Sequence, residues 1–207
     1  MTRYDRSKRA LDVVGGCMGL LVTAPLQLAI ATAVRTQLGA PVLFRQRRPG
    51  REGEDFSLLK FRTMLPVDEL RHQVRDADRM TKLGRFLRAT SLDELPSLWN
   101  VIVGDMSFVG PRPLLTEYLD LYTPFQARRH EVRPGITGLA QVAGRNRVSW
   151  EDRFVLDVEY VERRSFWLDA SILCRTVVTV ASGRGVTSAD HVTAEPFRGS
   201  SQAGTAT

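Results

Sequence analysis

One uncharged segment constrains the fold of this chain more than any other feature. Residues 13–34 read VVGGCMGLLVTAPLQLAIATAV and contain no Asp, Glu, Lys or Arg. A single charged side chain at the centre of a bilayer costs roughly 2.5–3.5 kcal/mol on the mildest scale. A straight helix of this length would rise about 33 Å, which just covers a hydrocarbon core of about 30 Å. The segment therefore predicts membrane association, and its length permits a span.

Two features favour a helix that enters and leaves the membrane on the same side. Pro25 lies near the middle of the segment, where it removes a helical hydrogen bond and disfavours helical geometry at Ala24. A break at Ala24 and Pro25 leaves two halves that are each too short to cross, and Thr23 could bind the carbonyl that Pro25 frees. Both flanks are basic, so the positive-inside rule sends neither end outward. The basic residues are Arg3, Arg6, Lys8 and Arg9 before the segment, and Arg35, Arg45, Arg47, Arg48 and Arg51 after it.

These features predict a re-entrant helix-break-helix. Three alternatives stay open: a single helix that crosses the membrane, a cleaved signal peptide that ends near residues 31–33, and a buried helix of a soluble core.

Composition narrows the class of protein and of partner. The 207 residues are 43% hydrophobic and 25% charged, which excludes a wholly disordered chain and a polytopic membrane protein. The net charge of +6 favours nucleic acid, anionic lipid or phosphorylated small molecules as partners. Cys17 and Cys174 lie in apolar runs, and we expect both to be buried thiols.

Residues 40–64 are predicted to form a β-hairpin, because Pro49-Gly50 and Gly53 supply a turn between two short strand patterns. In the second strand Lys60 and Arg62 project from the same face. That face fits a phosphate or a solvated edge strand equally well. Residues 166–180 are apolar with one Asp and one Arg, which fits an interfacial helix or a core helix.

Two adjacent acids mark a candidate site. Ser91-Leu92-Asp93-Glu94 has the spacing of a capping box before a helical apolar stripe, so we expect a helix to begin at Ser91. Acids in a first turn are common helix caps, but cations at Arg88 and Arg112 lie close in sequence. Prolines on both sides restrict the backbone of Arg112, which suits either phosphate binding or a structural arginine that holds a loop.

A third acid lies on an aromatic helix face. A helical pattern over 150–161 places Asp157 beside Trp150 and Phe154. This acid is either close to a metal ion or hydrogen-bonded within the fold.

Four segments resemble, in order and spacing, the bacterial sugar transferases, which are monotopic phosphoglycosyl transferases. They are KFRTM, TSLDELPSLWNVIVGDMSFVGPRPLL, HEVRPGITGLAQVAGRN and WEDRFVLDVEYV, and the similarity runs from about residue 8 to about residue 199. The chain is similar to the small form of this family. The resemblance implies an α+β fold: a mostly helical monotopic membrane protein with an N-terminal re-entrant helix-break-helix, a short β-hairpin and interfacial amphipathic helices. We expect the membrane segment in residues 1–38, the catalytic domain in 39–199 and a disordered tail in 200–207.

The resemblance also implies an activity. A sugar-1-phosphate passes from a UDP-sugar to a polyprenol phosphate, undecaprenyl phosphate, with release of UMP, at the cytoplasmic face of the bacterial inner membrane. Asp93 would be the nucleophile of a covalent phosphosugar intermediate and Glu94 its partner. Lys60, Arg88 and Arg112 would bind phosphate, and Mg²⁺ would be the cofactor, with Asp93 and Asp157 as expected ligands. Membrane lipids are further partners, nucleic acid is not, and a homodimer is left open.

Chemistry explains these residue types. An aspartate is ionised at pH 7 and needs no base to act as a nucleophile, but its attack on an anionic diphosphate requires cations that offset the charge repulsion. Two other functions remain open: a Mg²⁺-dependent lipid phosphotransferase or phosphatase without a covalent intermediate, and a basic module that binds a membrane surface.

Overall fold

The computed structural model describes residues 3–67, 75–144, 148–181 and 196–199, so the tail predicted for 200–207 lies outside the described residues. The helices are α1 (Arg3–Gln37), α2 (Asp76–Arg79), α3 (Lys82–Ala89), α4 (Ser97–Val103), α5 (Pro124–Ala127), α6 (Leu139–Ala143), α7 (Trp150–Arg163) and α8 (Phe166–Ala181). The strands are β1 (Leu43–Pro49), β2 (Asp55–Phe61), β3 (Ser107–Val109) and β4 (Gly135–Thr137). Short 3₁₀ turns cover Arg51–Gly53, Leu92–Glu94, Thr116–Leu121 and Arg128–Glu131. The α+β, mostly helical fold class is confirmed.

Helix α1 contains the uncharged segment and runs without interruption through Pro25. We predict a kink or a break at Ala24 and Pro25; the break is wrong for the helical backbone, and the kink stays a prediction. Pro25 removes only one hydrogen bond of the ladder, and the strong helix formers around it continue the helix on both sides. Thr23 donates its hydroxyl to the carbonyl of Gly19 at 2.6 Å, so it is not the partner predicted for the carbonyl that Pro25 frees.

The N-terminal part of α1 is anchored to the globular part of the chain by polar contacts. Arg9 donates to the carbonyls of Val101 and Ile102 at 2.5 and 2.6 Å, which satisfies free carbonyls at the end of α4. The buried carboxylate of Asp12 accepts from Ser107 Oγ and from the backbone N–H of Phe108. Two cations of the first basic flank, Lys8 and Arg9, thus bind protein groups, because Lys8 pairs with Asp169 on α8 at 2.6 Å.

The C-terminal part of α1 returns to the same globular part through apolar contacts. Ile30, Val34 and Leu38 are buried in one core cluster with Phe61 of β2 and Leu87 of α3. Between the two anchored parts, one face of α1 is exposed and apolar. Its members include Val14, Met18, Leu21, Val22 and Leu28, each more than half exposed.

The predicted hairpin is present. β1 and β2 pair in antiparallel register from Leu43 opposite Phe61 to Pro49 opposite Asp55. β3 and β4 form a second, parallel pair that the sequence pattern does not predict, since each strand has only three residues. This pair depends on glycine, because a Cβ on Gly135 would lie 2.1 Å from the backbone nitrogen of Gly110.

Helix α8 forms as predicted and exposes apolar side chains, among them Trp167, Val177 and Val178. Cys174 on α8 and Cys17 on α1 are both exposed, so the prediction of buried thiols is wrong. Their apolar neighbours belong to faces that no other described element covers.

Candidate active site

Helix α4 holds strand β2 by its free edge. Among the strands in the described part of the chain, only β1 pairs with β2, so the backbone groups on the other edge of β2 need partners. Asn100 supplies two of them: its Oδ1 accepts from the N–H of Leu59 at 3.1 Å, and its Nδ2 donates to the carbonyl of Ser57 at 2.8 Å. Ser97 Oγ donates to the carbonyl of Leu59 at 2.7 Å. These bonds fix the backbone directly before Lys60.

The acid pair lies on a 3₁₀ turn between α3 and α4. Ser91 has left-handed backbone angles (φ 57°, ψ 18°) and no capping hydrogen bond from its side chain, so the predicted capping box and helix start at Ser91 are wrong. The α-helical ladder begins only at Ser97, because Pro96 has no N–H to donate. Asp93 and Glu94 are therefore presented by a tight turn, with Asp93 8% exposed.

One carboxylate oxygen of Glu94 binds two cations. Lys60 Nζ lies 2.5 Å and Arg112 Nη2 lies 2.8 Å from Oε1 of Glu94. Burial raises the pKa of Glu94, but Arg112 and Lys60 outweigh it and hold that pKa at about 2. Glu94 is therefore an anion at neutral pH, already matched by two positive charges.

The pKa of Asp93 is shifted in the opposite direction to that of Glu94. Burial and the charge of Glu94 raise its pKa, while Lys60, Arg112 and Arg88 act against that rise. A carboxylate that is costly to keep ionised and lacks its own ion pair among the described residues is a better nucleophile than a solvated or paired one.

Arg88 contacts the segment that follows β2. Its Nε donates to Thr63 Oγ1 at 3.0 Å and its Nη2 lies 3.5 Å from the sulfur of Met64. The structure thus brings four of the predicted site residues around Asp93: Glu94, Lys60, Arg88 and Arg112. The sequence also predicts Arg62 on the same face as Lys60. Arg62 instead donates to the carbonyls of Gly39 and Ala40 and so stabilises the chain before β1.

Asp157 lies in a buried ion pair. Arg129 donates to its Oδ2 through Nη2 at 2.7 Å and Nε at 3.0 Å, and the two side chains are only 1–2% exposed. Nη2 of Arg129 also donates to the carbonyl of Arg112 at 2.7 Å. Asp157 therefore acts on the site through Arg129, which holds the Arg112 backbone. Its role as a magnesium ligand stays a prediction.

Two cations at this site were not found from sequence, Arg48 and Arg129. Arg48 lines a cavity with Lys60, Glu94 and Arg112, yet in the sequence it is one of five arginines between residues 35 and 51. Strand alternation could have singled it out as facing inward. No local signal marks Arg129, whose partners lie 17 and 28 residues away.

The fold and site define a class of protein: an enzyme that acts on an anionic substrate next to an exposed apolar surface. Comparison with known proteins specifies it. The family model described as bacterial sugar transferase matches residues 3–183. The chain is 52% identical over 194 residues to the uncharacterized sugar transferase EpsL of Bacillus subtilis, covering 93% of this chain and 96% of that protein.

Two further relatives carry more specific names. The UDP-glucose:undecaprenyl-phosphate glucose-1-phosphate transferase of Caulobacter vibrioides is 43% identical over 184 residues, 84% of this chain and 69% of that protein. The exopolysaccharide production protein ExoY of Rhizobium meliloti is 38% identical over 197 residues, 86% and 87% of the two chains. This chain belongs to the bacterial sugar transferase family. The predicted enzyme class, a phosphoglycosyl transferase, is confirmed.

Proposed function

We propose that this enzyme transfers a sugar-1-phosphate from a UDP-sugar to undecaprenyl phosphate, releases UMP, and does so through a phosphosugar bound covalently to Asp93. The observation that carries the proposal is the buried carboxylate of Asp93, which has no ion-pair partner among the described residues and lies beside a glutamate that holds two cations. The names of the relatives in Caulobacter vibrioides and Klebsiella pneumoniae, which are 43% and 41% identical, support the two substrates.

The reaction has two balanced steps. In the first, an oxygen of Asp93 forms a bond to the sugar-bearing phosphorus while the bond from that phosphorus to the bridging oxygen breaks, and UMP leaves with the electron pair. In the second, an oxygen of the lipid phosphate attacks the same phosphorus and Asp93 leaves as a carboxylate. No bond at the anomeric carbon of the sugar breaks, so its configuration is kept.

The cations offset the repulsion between the carboxylate and the diphosphate. Lys60 and Arg112 face both the acid pair and the cavity, so either can turn from Glu94 toward a bound phosphate. Arg88 approaches Asp93 from the side of Thr63, where it can contact the phosphate that carries the sugar. Arg129 holds the backbone carbonyl of Arg112, so the point from which the Arg112 side chain extends is set before substrate binds.

Magnesium fits the acid pair. The described residues contain no group of three His, Cys, Asp or Glu side chains that could enclose a metal ion. Mg²⁺ usually takes only one or two carboxylates and fills its other positions with water and substrate phosphate oxygens. Asp93 and Glu94, which repel each other, would hold the ion together with the diphosphate. When bound, the ion would neutralise charge on the phosphate oxygens. Asp157 fits less well, since Arg129 occupies its Oδ2.

We also propose that α1 lies in one leaflet, on the cytoplasmic side, without crossing the bilayer. By its length and composition, the helix is long and apolar enough to cross. However, Asp12 and Val34 both contact the globular part of the chain, although they lie about 33 Å apart along a straight helix. A crossing helix would carry one of these contacts away to the far side of the membrane. The exposed apolar face between the two contacts fits the acyl region of a single leaflet.

Trapping the intermediate tests the chemistry. The full-length enzyme in detergent is incubated with a UDP-sugar labelled with ³²P in the sugar-bearing phosphate, with Mg²⁺ and without lipid. We expect one labelled protein band, lost in Asp93→Asn and discharged by added undecaprenyl phosphate. UMP release that continues at the wild-type rate in Asp93→Asn, or turnover without any labelled protein, would contradict the proposal and favour direct transfer.

Thiol labelling tests the topology. Single cysteines replace the exposed Ser7 and Gln37 in a background without Cys17 and Cys174. A membrane-impermeant maleimide is then added to inside-out and right-side-out vesicles. We expect both positions to react only from the cytoplasmic side. Reaction from opposite sides would show a helix that crosses the bilayer.

A further inference from the structure

Arg48 is a cation of the active site, and it has no role in the two reaction steps proposed above. It lies near the end of β1, where its Nη2 donates to Oε1 of Gln46 at 2.6 Å. Its Nε is buried and has no hydrogen-bond partner, and none of the ion pairs in the described part of the chain includes it. A guanidinium carries five donors, so this side chain is only partly satisfied by the protein.

The surroundings of Arg48 favour a negatively charged ligand. Arg48 lines the same cavity as Lys60, Glu94 and Arg112, but Glu94 is already matched by the other two. Burial and the charge of Arg112 lower the pKa of Arg48 to about 10, which still leaves it charged at pH 7. A partly buried cation that faces another cation without an acid of its own is costly unless an anion binds between them.

The register of the hairpin shows which anion this is. Arg48 lies opposite Phe56 on β2, four residues before Lys60, and Lys60 is the strand residue that binds Glu94. Arg48 and Lys60 line the same cavity, so Arg48 lies farther from the acid pair along the hairpin than Lys60 does. In a diphosphate, the phosphorus under attack lies against Asp93, and the second phosphate lies one bridging oxygen farther along the cavity. That second phosphate is the one that leaves.

We propose that Arg48 binds the nucleotide-side phosphate of the UDP-sugar and stabilises it as it leaves in UMP. This inference rests on the proposed function. When the bond between the sugar-bearing phosphorus and the bridging oxygen breaks, the electron pair stays on that oxygen and raises the charge of the UMP phosphate. Arg48 therefore acts in the first step and has no partner in the second, because UMP has left before the lipid phosphate attacks.

The test compares three variants of the full-length enzyme. Arg48→Gln removes the charge, Arg48→Lys keeps it without the fork, and Arg47→Gln removes the charge of the exposed neighbour on the same strand. Three quantities are measured: the rate of labelling by ³²P UDP-sugar, the inhibition constant of UMP, and the rate at which undecaprenyl phosphate discharges enzyme that was labelled beforehand and freed of nucleotide.

For Arg48→Gln we expect labelling to slow and UMP inhibition to weaken, each roughly 10-fold to 100-fold, with discharge at the wild-type rate. Arg48→Lys recovers part of both losses, and Arg47→Gln matches the wild type. Should Arg48→Gln unfold, Arg48→Lys carries the test, with weaker UMP inhibition and unchanged discharge as the expected result.

Two outcomes would overturn the inference about Arg48 without affecting the proposed function. One is unchanged UMP inhibition in a folded Arg48 variant whose wild type forms the labelled intermediate. The other is an equal slowing of labelling and discharge, which indicates a general effect on the site. If the wild type forms no labelled intermediate at all, the proposed function fails and this inference fails with it.

Discussion

Replacing Asp157 by asparagine separates a structural acid from a metal ligand. The substitution keeps the shape of the side chain but removes the charge that matches Arg129, and both partners are almost fully buried. Removing one partner of a buried ion pair typically costs about 3–5 kcal/mol, because the remaining charge stays buried without compensation. Within the described part of the chain, Arg129 then retains only neutral acceptors, which are the hydroxyl of Tyr122 and the carbonyl of Arg112.

The size of this loss is measurable. A chain of about 200 residues loses roughly 2–4 °C in unfolding temperature per kcal/mol, so Asp157→Asn should unfold about 6–20 °C below the wild type. Activity should fall as well, since Arg129 also holds the backbone of Arg112. The double variant Arg129→Met with Asp157→Leu removes both charges and should recover much of the lost stability.

The assay is thermal unfolding in detergent, followed by a Mg²⁺ titration of activity below the unfolding temperature. Glu151→Gln, at an exposed position on the same helix, is the control and should change the stability by less than about 0.5 kcal/mol. We expect Asp157→Asn to lower the unfolding temperature and to leave the Mg²⁺ requirement unchanged. Wild-type stability combined with activity that returns only at high Mg²⁺ would refute this reasoning and make Asp157 a ligand of the ion.

Two further variants test the electrostatics and the packing of the site. Lys60 acts against the rise in the pKa of Asp93, so Lys60→Met should raise that pKa further. Because the nucleophile must be ionised, the acidic limb of the pH–rate profile for labelling should move to higher pH. A limb that stays in place would contradict this expectation. A Cβ on Gly84 would lie 1.9 Å from the carbonyl oxygen of Thr63. Gly84→Ala should therefore lower the free energy of unfolding by about 1–3 kcal/mol through overpacking, which is measured as a lower unfolding temperature. An unchanged unfolding temperature would show that α3 can shift freely.

The sequence predicts the parts of the molecule whose conformation depends on residues close together along the chain. The uncharged run of residues 13–34 predicts a long apolar helix, and α1 is a continuous helix that is long and apolar enough to cross a membrane. The turn residues between 49 and 53 predict the hairpin, and β1 and β2 pair there. The acid pair at Asp93 and Glu94 is visible because two carboxylates stand side by side near arginines.

Local patterns fail where a distant contact or a missing hydrogen bond decides the conformation. The helix predicted from Ser91 begins only at Ser97, since Ser91 turns left-handed and Pro96 cannot donate. The break predicted at Pro25 is absent, because helix formers on both sides continue the ladder and both parts of α1 are anchored. The thiols are exposed because no other element in the described ranges covers the apolar faces that carry them.

By itself, then, the sequence determined the kind of chain this is: an apolar helix joined to a basic domain with an acid pair suited to phosphate chemistry. Only the tertiary structure decided how the charges are matched. It brought Lys60 and Arg112, 34 and 18 residues from Glu94, onto one oxygen and placed Arg129 between Asp157 and Arg112. It gave Arg48 no acidic partner among the residues that the structure describes. The physical reason is that an ion pair depends on distances of a few ångströms, and the fold sets these distances between residues that are far apart along the chain.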